Sequence, residues 1–69
     1  MDVDAETTAK IWEVRVSAGE AVEEGDVLLV LDLDGTPRPV HAPTAGRVAE
    51  VHVAAGDRVA AGDPLVTFG

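Results

Sequence analysis

A chain of 69 residues with 46% hydrophobic but only 3% aromatic side chains has to build its core from Val, Leu, Ile and Ala, near the size at which one core only just offsets chain entropy. The absence of cysteine excludes a disulfide framework and thiolate chemistry. A net charge of −8, with Lys10, Arg15, Arg38, Arg47 and Arg58 as the basic residues, excludes the cationic surface that nucleic-acid phosphates require.

The segment Met1-Asp2-Val3-Asp4-Ala5-Glu6 is acidic where a signal peptide is basic, and no apolar run reaches the length of a membrane span. The expectation is a cytoplasmic single domain over residues 1–69, with no membrane or nucleic-acid partner. Its acidity suits solubility and a basic partner surface. A first short strand is expected within 2–6. Alternation of apolar and polar residues in Val14-Arg15-Val16 then predicts a strand over 10–16. Ile11 and Val14 are three apart and cannot face one side of a regular strand, so a bulge or bend is expected near Glu13, which would then point outward.

Ala18-Gly19 and Glu24-Gly25-Asp26 punctuate the chain as turns, giving strands over 20–22 and 26–32. Leu33-Asp34-Gly35-Thr36 follows. Asp-Gly is the strongest two-residue signal for a type I′ hairpin, in which both central residues take positive φ. A strand over 37–41 should return from it, with Pro39, Pro43 and later Pro64 at edges or strand starts, where a missing donor is tolerated.

From residue 46 the pattern repeats. Ile11–Leu29 laid over Val48–Val66, an offset of 37, gives nine identities: Glu13/Glu50, Val14/Val51, Val16/Val53, Ala18/Ala55, Gly19/Gly56, Val22/Val59, Gly25/Gly62, Asp26/Asp63 and Leu28/Leu65. Strands are therefore expected over 46–53, 57–60 and 64–68, with a second bulge near Glu50. Two copies are too few for a solenoid. Two strand-rich halves that each lack a core can instead bury their apolar faces on one another. The predicted fold is all-β, a flattened barrel or sandwich of two four-stranded halves about a pseudo-twofold axis, with no helix.

Taken in order, Val22-Glu23-Glu24-Gly25-Asp26-Val27-Leu28, Val40-His41-Ala42-Pro43-Thr44-Ala45-Gly46-Arg47-Val48, Ala55-Gly56-Asp57 and Ala61-Gly62-Asp63-Pro64-Leu65 resemble the biotinyl/lipoyl carrier domains over residues 9–68 without a gap. The Ala42-Pro43-x-x-Gly46 element looks closest to biotin carboxyl carrier domains of acyl-CoA carboxylases. The resemblance implies a barrel-sandwich hybrid and a swivelling carrier: a lysine at the central hairpin tip, commonly within Ala-Met-Lys-Met, takes biotin or lipoate as an amide. Aligned without gaps, Asp34, Gly35 and Thr36 stand where Met-Lys-Met would be, with Gly35 in the lysine position. Glycine has no nucleophile for a ligase to acylate.

The expectation is therefore a non-enzymatic accessory or interaction module without cofactor, serving a biotin-dependent carboxylase, acyltransferase or biosynthetic partner. The alternative is a carrier with unusual attachment at Lys10, the single lysine, or at the Gly69 carboxylate. Lys10 reads as a solvated charge flanking a strand, far from the hairpin. Thr36 lacks a neighbouring base, and Ser17 lacks the Asp-Ser-Leu context of phosphopantetheine carriers. His41 and His52 have no thiolates and no regular spacing to make a metal site. Trp12 reads as a core plug, with a partly exposed docking anchor as the alternative. Asp32, Asp34 and Arg38 read as loop polarity or, with Trp12, as a partner-docking tip.

Overall fold

The computed structural model describes residues 1–69. Eight strands run in chain order: β1 (Asp2–Asp4), β2 (Ala9–Val14), β3 (Ala21–Val22), β4 (Val27–Leu33), β5 (Thr36–His41), β6 (Gly46–Val51), β7 (Arg58–Val59) and β8 (Pro64–Phe68). There is no helix, so none is long and apolar enough to cross a membrane. The strands form two antiparallel four-stranded sheets, ordered β1-β8-β6-β3 and β5-β4-β2-β7.

Adding or subtracting four converts one order into the other. The repeat therefore exchanges the two sheets, and each sheet takes two strands from each copy. β6 and β7 begin and end 37 residues after β2 and β3. The fault in alternation resolves as the pattern requires. Register slips between Ile11 and Glu13 against β4, and between Val48 and Glu50 against β8, leaving Trp12 and Ala49 as the bulged residues. Glu13 and Glu50 are exposed.

Fourteen apolar side chains make one buried cluster. Most fall into repeat pairs: Ala5 with Ala42, Ile11 with Val48, Val22 with Val59, Leu28 with Leu65, Leu29 with Val66, and Leu31 with Phe68. Burying a side chain the size of Leu stabilises by about 1.5–3 kcal/mol, and aliphatic packing thus replaces the missing rings. Where the copies differ in volume they compensate. Gly46 stands where the first copy has Ala9, and a Cβ on Gly46 would lie 2.9 Å from Cδ2 of Phe68, the mate of the smaller Leu31.

The turns are closed by their own acids. Asp26 and Asp63 each accept from the backbone N–H three residues earlier, at Glu23 and Ala60, both at 2.9 Å. Asp57 does the same for Ala54 at 2.8 Å. Pro37 and Pro39 lie in the edge strand β5, opposite Asp32 and Val30. In a two-residue hairpin closed by Leu33 and Thr36, those alternate positions point their backbone nitrogens away from β4. Proline therefore removes no ladder bond and blocks pairing at the open edge.

Candidate functional site

The β4–β5 hairpin carries the candidate site. Leu33 and Thr36 are paired, and between them Asp34 has φ 52° and Gly35 φ 84°, the left-handed pair that a type I′ turn demands. Gly35 N–H donates to Asp32 Oδ1 at 2.7 Å, so the Asp32 carboxylate is committed to holding the turn. A Cβ at Gly35 would meet nothing within 4 Å. Backbone conformation, not crowding, selects glycine there. The tip itself presents a carboxylate, a bare backbone and a hydroxyl, with no amine. Thr36 is exposed and has no base within hydrogen-bonding distance.

Two expectations are corrected beside the tip. Trp12 is 56% exposed and is no core plug: it follows the buried Ile11 on β2, so strand alternation points it to solvent. Lys10 is not remote from the hairpin. Antiparallel pairing of β2 with β4 sets it directly opposite Asp32, and Lys10, Trp12, Asp32 and Gly35 line one open groove of about 440 Å³. Sequence order hid this because the chain passes through β3 before it returns.

The proposed docking set divides. Asp34 shares a second groove with Lys10, Asp32 and Arg58. Arg38 instead lies opposite Leu31 in register and lines a larger cleft, about 680 Å³, between the edge strands β1 and β5. That cleft has Val3, Leu33, Val40 and Leu65 among its lining residues, which no local motif in the sequence brings together. Arg58 also belongs to the hairpin end. Pairing of β7 with β2 sets it directly opposite Lys10, a neighbour that no sequence spacing announces.

The histidines are far from this end in chemistry. His41 Nδ1 lies 2.9 Å from the Gly25 carbonyl and donates to it. His52 Nε2 lies 2.7 Å from Thr67 Oγ1, with Glu50 Oε2 3.9 Å from His52 Nδ1. This line imitates a nucleophile, base and acid, but Thr67 donates its proton to Asp2 Oδ1 at 2.7 Å. His52 must therefore donate to Thr67, and the chain of bonds ties β1 to β8 and β6 without activating the hydroxyl. No three or more His, Asp or Glu side chains gather to hold a metal ion.

Residues 3–68 match the family model Biotin_lipoyl, described as biotin-requiring enzyme. Among solved structures, a single-chain, multi-domain long-chain acyl-CoA carboxylase is 30% identical with a TM-score of 0.88, covering 96% of this chain and 7% of that one. Kluyveromyces lactis urea carboxylase is 28% identical with a TM-score of 0.90, covering 100% of this chain and 6% of that one. The lipoyl domain of the 2-oxoglutarate dehydrogenase complex from Azotobacter vinelandii, 23% identical with a TM-score of 0.85, covers 100% of this chain and 95% of its own, and shares the fold. The chain thus spans a small fraction of the two carboxylases. No curated protein sequence matches it.

Proposed function

This chain belongs to the Biotin_lipoyl family, and from that premise we propose that it is a non-enzymatic accessory module, docking on a biotin-dependent carboxylase, acyltransferase or related biosynthetic partner without carrying a prosthetic group. The observation that carries the reading is Gly35 at the apex of the β4–β5 turn. Gly35 takes the place of the family's attachment lysine. An amide-linked biotin or lipoate needs an amine as nucleophile, and Asp34, Gly35 and Thr36 offer none, so the tip does not fit that group. The retained I′ turn supports a hairpin kept for its shape.

Incubation with biotin ligase, biotin and ATP tests this. The wild-type chain stays unlabelled, whereas replacement of Asp34-Gly35-Thr36 by Met-Lys-Met yields an acceptor. Side chains at positive φ cost about 1–2 kcal/mol each, so the variant is less stable but folded. Affinity purification from the native host should recover a carboxylase or acyl-transfer enzyme in stoichiometric amount. Recovery of neither contradicts the reading.

A second reading keeps carriage through Lys10. One observation favours it: the single lysine lies opposite Asp32, in the groove that Gly35 lines. Labelled wild-type protein that loses its label on Lys10→Arg substitution would establish it. Nothing favours attachment at Gly69, which bonds to the Arg47 carbonyl beside the paired ends of β1 and β8.

A further inference from the structure

The sheets end on β1, β3, β5 and β7, and these edges differ in what they offer a further strand. β3 and β7 are two residues long. On β5, Pro37 and Pro39 occupy the outward-facing positions, so that edge has no N–H to donate there. β1 is open. Phe68 N–H donates to the Met1 carbonyl at 2.7 Å and Ala5 N–H to the Asp63 carbonyl at 2.8 Å, so the odd-numbered residues face β8. Peptide groups alternate along a strand, and Asp2 and Asp4 therefore turn their N–H and C=O groups away from the sheet, where no strand of this chain pairs with them.

This edge borders the cleft of about 680 Å³, which has the half-buried Val3, Leu33 and Val40 along it. Charge sets the chemistry of what fits. Asp4 and Glu6 line the cleft, exposed and with no cation within 4.0 Å, while Arg38 on the β5 wall is its single Lys or Arg. Asp2 adds a further carboxylate on the strand, and the whole molecule carries −8. Free acids occur on other faces too; here they flank an open strand edge and an apolar trough, which fixes the place, and the sign of the charge then selects a cationic partner. A second copy of this chain is a poor occupant. Antiparallel self-pairing at β1 sets Asp2 against Asp4 of the other copy, and like charges directly opposite are destabilising.

We propose that β1 accepts an extended basic segment of a protein partner as an added antiparallel strand. Main-chain bonds run to the outward peptide groups of Asp2 and Asp4. An apolar side chain of the segment, opposite Val3, enters the cleft, and Lys or Arg on either side of it lie opposite the two aspartates as cross-strand charge pairs. The inference rests on the interaction-module reading and gives that module a surface apart from the hairpin tip, with the partner chemistry it takes.

The probe is a synthetic peptide, Gly-Lys-Val-Lys-Val-Lys-Gly, blocked at both ends and titrated at low ionic strength. One control carries glutamate for lysine. The other is N-methylated at its lysines, which removes the donors that would pair with β1 and leaves the charge unchanged. Amide-proton NMR should show saturable shifts along β1 and at Arg38 and Val40, with slowed exchange of the Asp2 and Asp4 N–H. Neither control should bind, and the Asp4→Lys/Glu6→Lys variant, folded by circular dichroism, should bind the probe about tenfold more weakly.

No saturable shift, shifts spread over other acidic faces without slowed exchange at Asp2 and Asp4, or equal binding of the N-methylated peptide overturns the proposal and leaves the aspartates as guards against self-pairing. The two ideas fail separately. A host carboxylase captured equally by the Asp4→Lys/Glu6→Lys variant removes this edge as the docking surface but leaves the module reading. Probe bound at β1, with no carboxylase or acyl-transfer enzyme recovered from the host, keeps the edge and removes the module reading.

Discussion

Gly35 and Gly46 are both glycine for different physical reasons, and substitution separates them. Gly35 is held at φ 84° in open space, so Gly35→Ala should cost about 1–2 kcal/mol through backbone strain, while Gly35→Asn, which tolerates the left-handed region, costs less. Urea unfolding reads both. Gly46 has ordinary φ but faces the Phe68 ring, so Gly46→Ala overpacks the core by about 1–3 kcal/mol. Adding Phe68→Leu recreates the Ala9 and Leu31 combination of the other copy and should recover part of that loss. Additive effects in the double-mutant cycle would contradict the compensation. Trp12→Ala, at a half-exposed bulge, should cost about 1 kcal/mol or less, against about 3–5 for a buried ring. A larger loss would restore the core-plug reading.

Elements were legible in the sequence wherever local chemistry decides them. The Asp34-Gly35 pair announces its turn because left-handed backbone is a local requirement, and the three-residue spacing from Ile11 to Val14 announces a bulge or bend because the two cannot face one side of a regular strand. Size alone marks Trp12 as a core plug, yet alternation beside the buried Ile11 points it to solvent, and the bulge turns Glu13 outward as well. The neighbours Lys10, Asp32 and Arg58 were illegible because they depend on which strands pair across the barrel, and β2 meets β4 and β7 only after intervening chain. The turn acids carry a prediction at this scale. Asp26 and Asp63 make equivalent bonds in the two copies, so Asp26→Ala and Asp63→Ala should each cost about 1 kcal/mol. Strongly unequal losses in thermal unfolding would mean that the copies are not energetic equivalents.

At the scale of the molecule, the repeat that exchanges the sheets also places the hairpin tip and the paired residues Met1 and Phe68 at related positions. Phe68 N–H donates to the Met1 carbonyl at 2.7 Å, as the mate of the Leu31 and Arg38 pair. Joining Gly69 to Met1 through one added glycine should therefore form a two-residue turn. A permuted chain that begins at Gly35 and ends at Asp34 should keep eight strands by amide-proton NMR, and an unfolded permutant would contradict the symmetry. The functional account depends on a hairpin apex without an amine. Its most direct test is the intact mass of the protein purified from its own host. The account predicts the mass of the unmodified polypeptide and no streptavidin signal; an added biotinyl or lipoyl group, wherever it is attached, would contradict it.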